Sequence, residues 1–336
     1  MATRVSIKDI AAQTGVSFQT VSKVLKGQGT VAPETRKWIL EVAGQMGYVP
    51  NALARSLVNQ QTATIGIVAS DFSDYVLAQF VVGTEREARR QEKSVIIGVI
   101  DEEGMDAERV IRILLEQRVT GIVLAAPQLE QNPGVRELLR GQVPVVSMYH
   151  VPGGGIPTVG SDHARTGLLA TQHLLDLGHR RIGTIIGPQD RQATQTRLRG
   201  YQRALAAAGI ETNFELVEES DWLVEGGYAA TRRLLERVPD ITAIFAQNDM
   251  MAVGVLGALR ALGRRVPENF SVVGCDDITL ASYTVPALTT VHIPFYETGE
   301  MAVQLLLDII TKGTTDPKKI LLPVHLVQRA STGVRN

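Results

Sequence analysis

A single cysteine, Cys275, stands in a chain of 336 residues. That excludes an internal disulfide framework. The six histidines form no Cys/His set at zinc-ligand spacing. His163, His173 and His179 are ten and then six residues apart, which does not bring them onto one helical face. No metal and no cofactor are expected. Apolar runs are short: none approaches the ~20 residues of a membrane span. The opening Met1-Ala-Thr-Arg4-Val lacks the apolar stretch of a signal peptide. The expectation is a cytoplasmic protein with no membrane partner. Enzyme signatures are missing as well. There is no Gly-x-x-x-x-Gly-Lys-Ser/Thr loop, no Gly-x-Ser-x-Gly elbow and no His-Glu-x-x-His. Gly153-Gly-Gly155 lies in a loop between prolines, without the strand–helix context of a phosphate cradle. No enzyme is expected.

The chain also lacks an excess of either charge, with 34 basic and 35 acidic residues. The net charge is -1, which excludes a uniformly basic nucleic-acid coat. The balance hides an asymmetry: residues 1–60 sum to +4 and the remainder to −5. A basic head on an acidic body points to an anionic partner for the head alone. With 44% hydrophobic residues, the chain has the composition of a folded protein of two or three units.

The head reads as helices. Ser6-Ile-Lys-Asp9 is a helix start, with a hydroxyl cap and an acid in the first turn. Ile7, Ile10 and Ala11 recur at helical spacing, and Gly15 breaks the pattern. Ser17 caps a second short helix with Val21, Val24 and Leu25 inward. Helix, glycine turn and helix in about 20 residues outline a helix-turn-helix. The second helix of that motif enters the major groove. Its early side chains are here Ser17, Phe18 and Gln19, with Lys23 a turn later. Gln suits adenine and Lys suits guanine. The spacing alone equally fits ordinary exposed residues of a small helical domain. A third helix follows over 34–46, with Ala32 a weak cap before Pro33. Residues 51–58 are too short to hold as a helix alone, and Val58-Asn-Gln-Gln-Thr62 reads as a linker.

Three blocks now stand in order. They are Val5-Ser-Ile-Lys-Asp-Ile-Ala-Ala-Gln-Thr-Gly-Val-Ser-Phe-Gln-Thr-Val-Ser-Lys-Val-Leu25, Val31-Ala-Pro-Glu-Thr-Arg36 and Gly47-Tyr-Val-Pro-Asn-Ala-Leu-Ala-Arg-Ser-Leu57. They resemble the head of the LacI/GalR transcriptional regulators, and the resemblance covers nearly the whole chain. It implies DNA contacts from Ser6, Ile7, Ser17, Phe18, Gln19, Thr20, Ser22, Lys23, Lys26, Thr30, Tyr48, Asn51 and Leu57. It also implies a hinge helix over 51–58 that forms only on operator DNA, with Leu57 as the minor-groove wedge. A wedge of that kind kinks pyrimidine–purine steps most easily, so a central CG is expected in a pseudo-palindromic operator. Paired heads on such a site imply a homodimer.

From residue 63 on, short apolar runs alternate with helical patterns. The runs are 64–69, 95–100, 121–125, 143–148, 182–186, 242–246 and 271–274. Such alternation predicts parallel sheets covered on both faces. Thr289–Pro294 reads as a crossover back to the first half, and Asp249 as the cap of the helix after it. The predicted fold is a small all-α helix-turn-helix head plus an α/β body of two doubly wound parallel-sheet lobes, similar to periplasmic binding proteins. The head spans 1–60, one lobe 61–160 with 293–325, the other 161–292 with 326–336.

Ligands in such sheets bind at the carboxyl ends of strands. The candidates there are Asp74, Tyr75, Tyr149, Arg191, Arg197, Trp222, Asn248 and Asp276. The resemblance places Arg197, Trp222, Asn248 and Asp276 at the family's ligand positions. The chain departs from it at Asp74-Tyr75, where the family has Asn-Pro-Phe-Phe, and at Tyr149, where several sugar-responsive members have an acid. Cys275 reads as a half-buried packing residue. The expected function is a DNA-binding regulator, expected to be a repressor, controlled by a sugar or sugar derivative. A purine- or nucleoside-responsive regulator, or a small-molecule-binding protein without a gene-regulatory role, are the alternatives.

Overall fold

The structure is a computed structural model, and it describes residues 5–49, 62–70, 75–101, 103–152, 154–313 and 318–335. The chain divides into two compact units, residues 1–62 and 63–336.

In the head, α1 (Ile7–Thr14) begins at a reciprocal cap. Ser6 N–H donates to Asp9 Oδ2 at 2.8 Å, and Asp9 N–H donates to Ser6 Oγ at 3.4 Å. Gly15 ends it at φ 71, a left-handed conformation that costs glycine nothing. Ser17 accepts from Thr20 N–H at 3.2 Å and caps α2 (Phe18–Leu25). The third helix, α3 (Pro33–Gln45), starts at Pro33 without a side-chain cap from Ala32. Ile10, Val21, Val24, Ile39, Val42 and Ala43 close on one another as the head's core. Each larger one contributes ~1.5–3 kcal/mol by leaving water.

The body holds two six-stranded sheets. The first has the order β11-β5-β4-β3-β1-β2. Its strands are β1 (Thr64–Ala69), β2 (Ser94–Val99), β3 (Gly121–Ala125), β4 (Val145–Ser147), β5 (Thr158–Ser161) and β11 (Lys319–Leu322). The second has the order β12-β10-β9-β8-β6-β7. It comprises β6 (Ile182–Ile186), β7 (Val217–Glu219), β8 (Ala243–Ala246), β9 (Ser271–Asp276), β10 (Thr289–His292) and β12 (His325–Val327). The pairs are parallel except β10 with β12. Central strands β3, β6 and β9 are buried at every residue, as the apolar runs require.

Helices cover both sheets. In chain order they are α4 (Tyr75–Arg90), α5 (Ala107–Glu116), α6 (Pro133–Leu139), α7 (His163–Asp176), α8 (Gln192–Ala207), α9 (Val224–Arg237), α10 (Asp249–Ala261) and α11 (Phe295–Lys312). The chain passes between the sheets after β5, after β10 and after β11. Thr289–His292 is thus not the crossover but a strand of the second sheet; Ile293 and Pro294 make the passage. The segment Thr-Thr-Val-His carries too few apolar residues to announce a strand, and it is buried by its neighbours β9 and β12.

Helices α7 and α8 cross with almost no space between backbones. A Cβ on Gly167 would lie 2.0 Å from Arg197 O, and one on Gly200 2.1 Å from Ala164 O. This reciprocal glycine contact seats the Arg197 segment of α8 against the first turn of α7.

Candidate functional site

The second head helix presents an exposed polar face. Phe18, Gln19 and Lys23 are exposed, while Val21 and Val24 turn inward. Ser17 and Thr20 share a 2.9 Å hydroxyl contact at the start of the helix, with Ser22 half-buried beside them. Lys26 and Thr30 are exposed just beyond it. Ser6 is exposed but engaged with Asp9. Ile7 and Tyr48 are partly buried against the head core. Asn51, Leu57 and the hinge segment lie outside the described residues.

In the body, the segments that follow β6, β7, β8 and β9 bring four of the candidates together. Arg197, on α8, is buried and donates to Gln247 O, to Asp276 Oδ1 at 3.3 Å and to His163 Nδ1 at 3.4 Å. Its guanidinium carbon stands 5.7 Å from the centre of the Trp222 ring, within reach of a cation–π attraction. Trp222 sits at φ 73, and its carbonyl accepts from Asn248 Nδ2 at 2.9 Å. Its indole lies flat over Gly187, where a Cβ would be 2.1 Å from the ring. Asp276 and Asp277 are both left-handed, at φ 111 and 58. Left-handed non-glycine residues store strain and cluster at functional sites.

Two elements from the first sheet face this group. Tyr75, at the start of α4, packs against the second sheet's core, as Trp222 does. Its hydroxyl is 3.4 Å from Thr279 Oγ1. Tyr149, half-buried after β4, is close enough to Arg197 for their charges to interact. Arg191 lies at the rim instead, where its Nη1 donates to Pro127 O at 3.1 Å. Asp74 lies outside the described residues.

Asn248, not Asp249, caps α10: its Oδ1 accepts from Met251 N–H at 2.8 Å. Asp249 points into the core, accepting from Thr290 Oγ1 at 2.6 Å and from Ile278 N–H at 2.9 Å. It ties β10 and the turn after β9 to α10. Burial, with the Asp276 charge nearby, pushes the Asp249 carboxyl up to about 8. His163 moves the other way: burial, then the Arg197 charge, pushes it down to about 3. It is a neutral acceptor for the guanidinium. Cys275 is fully buried rather than half-buried, and burial raises its thiol well above its usual range. The other two histidines also have protein partners: His173 meets Thr332, and His179 meets Thr242 and Ser271.

His163, Gln247 and Gly187 are not among the ligand candidates of the sequence, where His163 is weighed only as a metal ligand. No local pattern marks them, because each matters only through contact with Arg197 or Trp222. The cluster offers one cation, an acceptor carboxylate, an indole face and two phenols. Such a set can hold vicinal hydroxyls and the apolar face of a ring.

A helix-turn-helix head joined to a two-sheet body whose strand ends gather polar and aromatic side chains is the architecture of a ligand-binding, DNA-associated protein. Comparison with known proteins narrows this. Residues 6–51 match the model of bacterial regulatory proteins, lacI family, and residues 171–332 match a periplasmic binding protein-like domain. The chain is 38% identical over 340 residues to the HTH-type transcriptional regulator CelR of Thermobifida fusca, covering 98% of each. A solved CelR–cellobiose complex aligns over 98% of this chain and 100% of that one, at 36% identity and a TM-score of 0.75. The lac repressor dimer bound to operator and an anti-inducer aligns over the same shares at 30% identity and a TM-score of 0.89. The chain belongs to the LacI family of bacterial regulatory proteins.

Proposed function

We propose that the chain is a sequence-specific transcriptional regulator, a repressor, whose operator affinity is set by a sugar bound between the two body lobes. The observation that carries this is the buried Arg197–Asp276 pair beside the Trp222 indole. It lies on the same chain as the exposed face of Phe18, Gln19 and Lys23. Arg197 and Asp276 would hold hydroxyls, Trp222 the C–H face of the ring, and Asn248, Tyr75 and Tyr149 the edges, with Arg191 at the rim. The lobes run over 61–160 with 293–325 and 161–292 with 326–336, a division that the two sheets support. The relative crystallised with cellobiose makes a glucose disaccharide the first effector to try.

The chain works as a homodimer on a pseudo-palindrome, each head reading one half-site. Exposed Ile97 and Val99 on edge strand β2, with Met105 nearby in sequence, support an apolar contact with a second copy. Effector and operator favour different settings of the lobes, and each changes the other's affinity by the same factor. The role requires no bond making, so the protein is no enzyme, and it acts in the cytoplasm, where operator DNA is found. Among the described residues no helix is long and apolar enough to cross a membrane. The test is selection of bound duplexes from a random pool at fixed salt, followed by titration of the recovered site with cellobiose and other sugars. Recovery of a pseudo-palindrome with a central CG, and a sugar-dependent shift in its affinity, is expected. No enriched site with or without sugars would overturn the reading.

A further inference from the structure

A second set of contacts joins the lobes, remote in sequence from Tyr75 and Thr279. A 3-10 turn, Pro127–Gln131, follows β3, and its Leu129 is anchored in the first lobe's core. Three hydrogen bonds connect it to the start of α8 in the second lobe. Arg191 Nη1 donates to Pro127 O at 3.1 Å, Gln131 Nε2 to Asp190 O at 2.8 Å, and Gln192 N–H to Glu130 Oε2 at 3.1 Å.

Glu130 is the unusual member. It is an acid with 9% of its surface exposed, and burying a carboxylate is costly unless it is paired. Burial raises its pKa, and the Gln192 N–H bond and the nearby Arg191 charge oppose the rise. Helix α8 meanwhile has no cap of its own, since Arg191 at the N-cap position makes no side-chain cap bond. The missing acceptor comes from the other lobe. A carboxylate at that end also meets the positive end of the helix dipole. The same side chain lies near the backbone of His150, the neighbour of Tyr149. One side chain of the first lobe is therefore bonded to the segment of the second that carries Arg197.

We propose that Glu130 is a positioning residue that caps α8 across the cleft and so sets the Arg197 helix against the Tyr149 loop. Separation of the lobes removes the cap, exposes the acid and frees the first turn of α8. Its meaning for regulation rests on the cleft being the effector site, but the contact itself needs no effector.

The test is hydrogen exchange at single-amide resolution on the full-length chain without effector. In Glu130→Ala, the Gln192 amide is expected to exchange about tenfold faster or more, as for a lost bond to a charged acceptor. Amides of β3 and β6 should keep wild-type rates. Glu130→Gln retains an acceptor oxygen and should restore protection at Gln192. If the alanine variant loosens the whole body, the glutamine variant decides. Wild-type protection in Glu130→Ala, or equal loss in Glu130→Gln, would overturn the proposal. Failure of the effector reading looks different: no sugar would move operator affinity, while Gln192 would still depend on Glu130.

Discussion

Replacing Asp249 by Asn tests the electrostatics of the cleft floor. The buried carboxyl is pushed up to about 8, so it is protonated at neutral pH. Oδ1 accepts from the Thr290 hydroxyl and Oδ2 from Ile278 N–H at 2.6 and 2.9 Å; on protonation the Thr290 contact is kept with its roles exchanged, since a hydroxyl can accept as well as donate. An asparagine reproduces that pattern with Nδ2 and Oδ1. The two proteins therefore differ chiefly in titration. An unfolded aspartate ionises near its ordinary 3.8, whereas the folded one keeps its proton to about 8. Across that window the folded state binds more protons than the unfolded state, so wild-type stability falls as pH rises. The slope is ~1.4 kcal/mol per pH unit for one fully shifted group. Between pH 5 and 7 the Asn variant should gain ~3 kcal/mol on the wild type, and the gain should level off above pH 8. Urea denaturation of both proteins at pH 5, 6, 7 and 9, followed by circular dichroism, measures the difference. Parallel pH profiles for the two proteins would refute the argument.

Other outcomes follow from the same geometry. Gly200→Ala places a methyl 2.1 Å from Ala164 O, a backbone atom that cannot rotate away. It should destabilise the body by ~1–3 kcal/mol or more, and a change in urea midpoint within error would contradict the close crossing. His163 is held down at about 3, so its ring resonances should not titrate between pH 5 and 8 in an NMR series. Because its unfolded value is higher, it withdraws stability as pH falls below 6.5. Lys23→Ala should relax preference at one base pair per half-site by ~1–3 kcal/mol in a competition assay; a uniform loss across sequences would make Lys23 a phosphate contact. Leu57→Ala should weaken operator binding far more than binding to random duplex, and equal losses would remove the wedge role.

Much of this protein was legible before folding, because the relevant physics is local. The caps at Ser6 and Ser17 and the turn at Gly15 act within four residues of themselves. The head's core appears as a helical repeat of apolar side chains. The central strands appear as unbroken apolar runs, since both of their faces are covered. Arg197, Trp222, Asn248 and Asp276 were named as candidates because they stand at ligand positions of the family the chain resembles, near the strand ends where such sheets place ligands. Other features depend on groups that meet only after the chain has folded. Thr289–His292 becomes a strand through pairing with β9 and β12, not through its own apolarity. Asp249 looks like a helix cap in sequence, yet Asn248 takes the cap and Asp249 turns inward to meet Ile278 and Thr290. His163 acquires its role from Arg197, 34 positions away, and Glu130 from the uncapped end of α8, 62 positions away. Local sequence determines which segments form helices and strands and which residues stand at their ends. Tertiary structure decides the charge states and couplings of the cleft, because burial and partner distance are properties of the packed chain and not of any one segment.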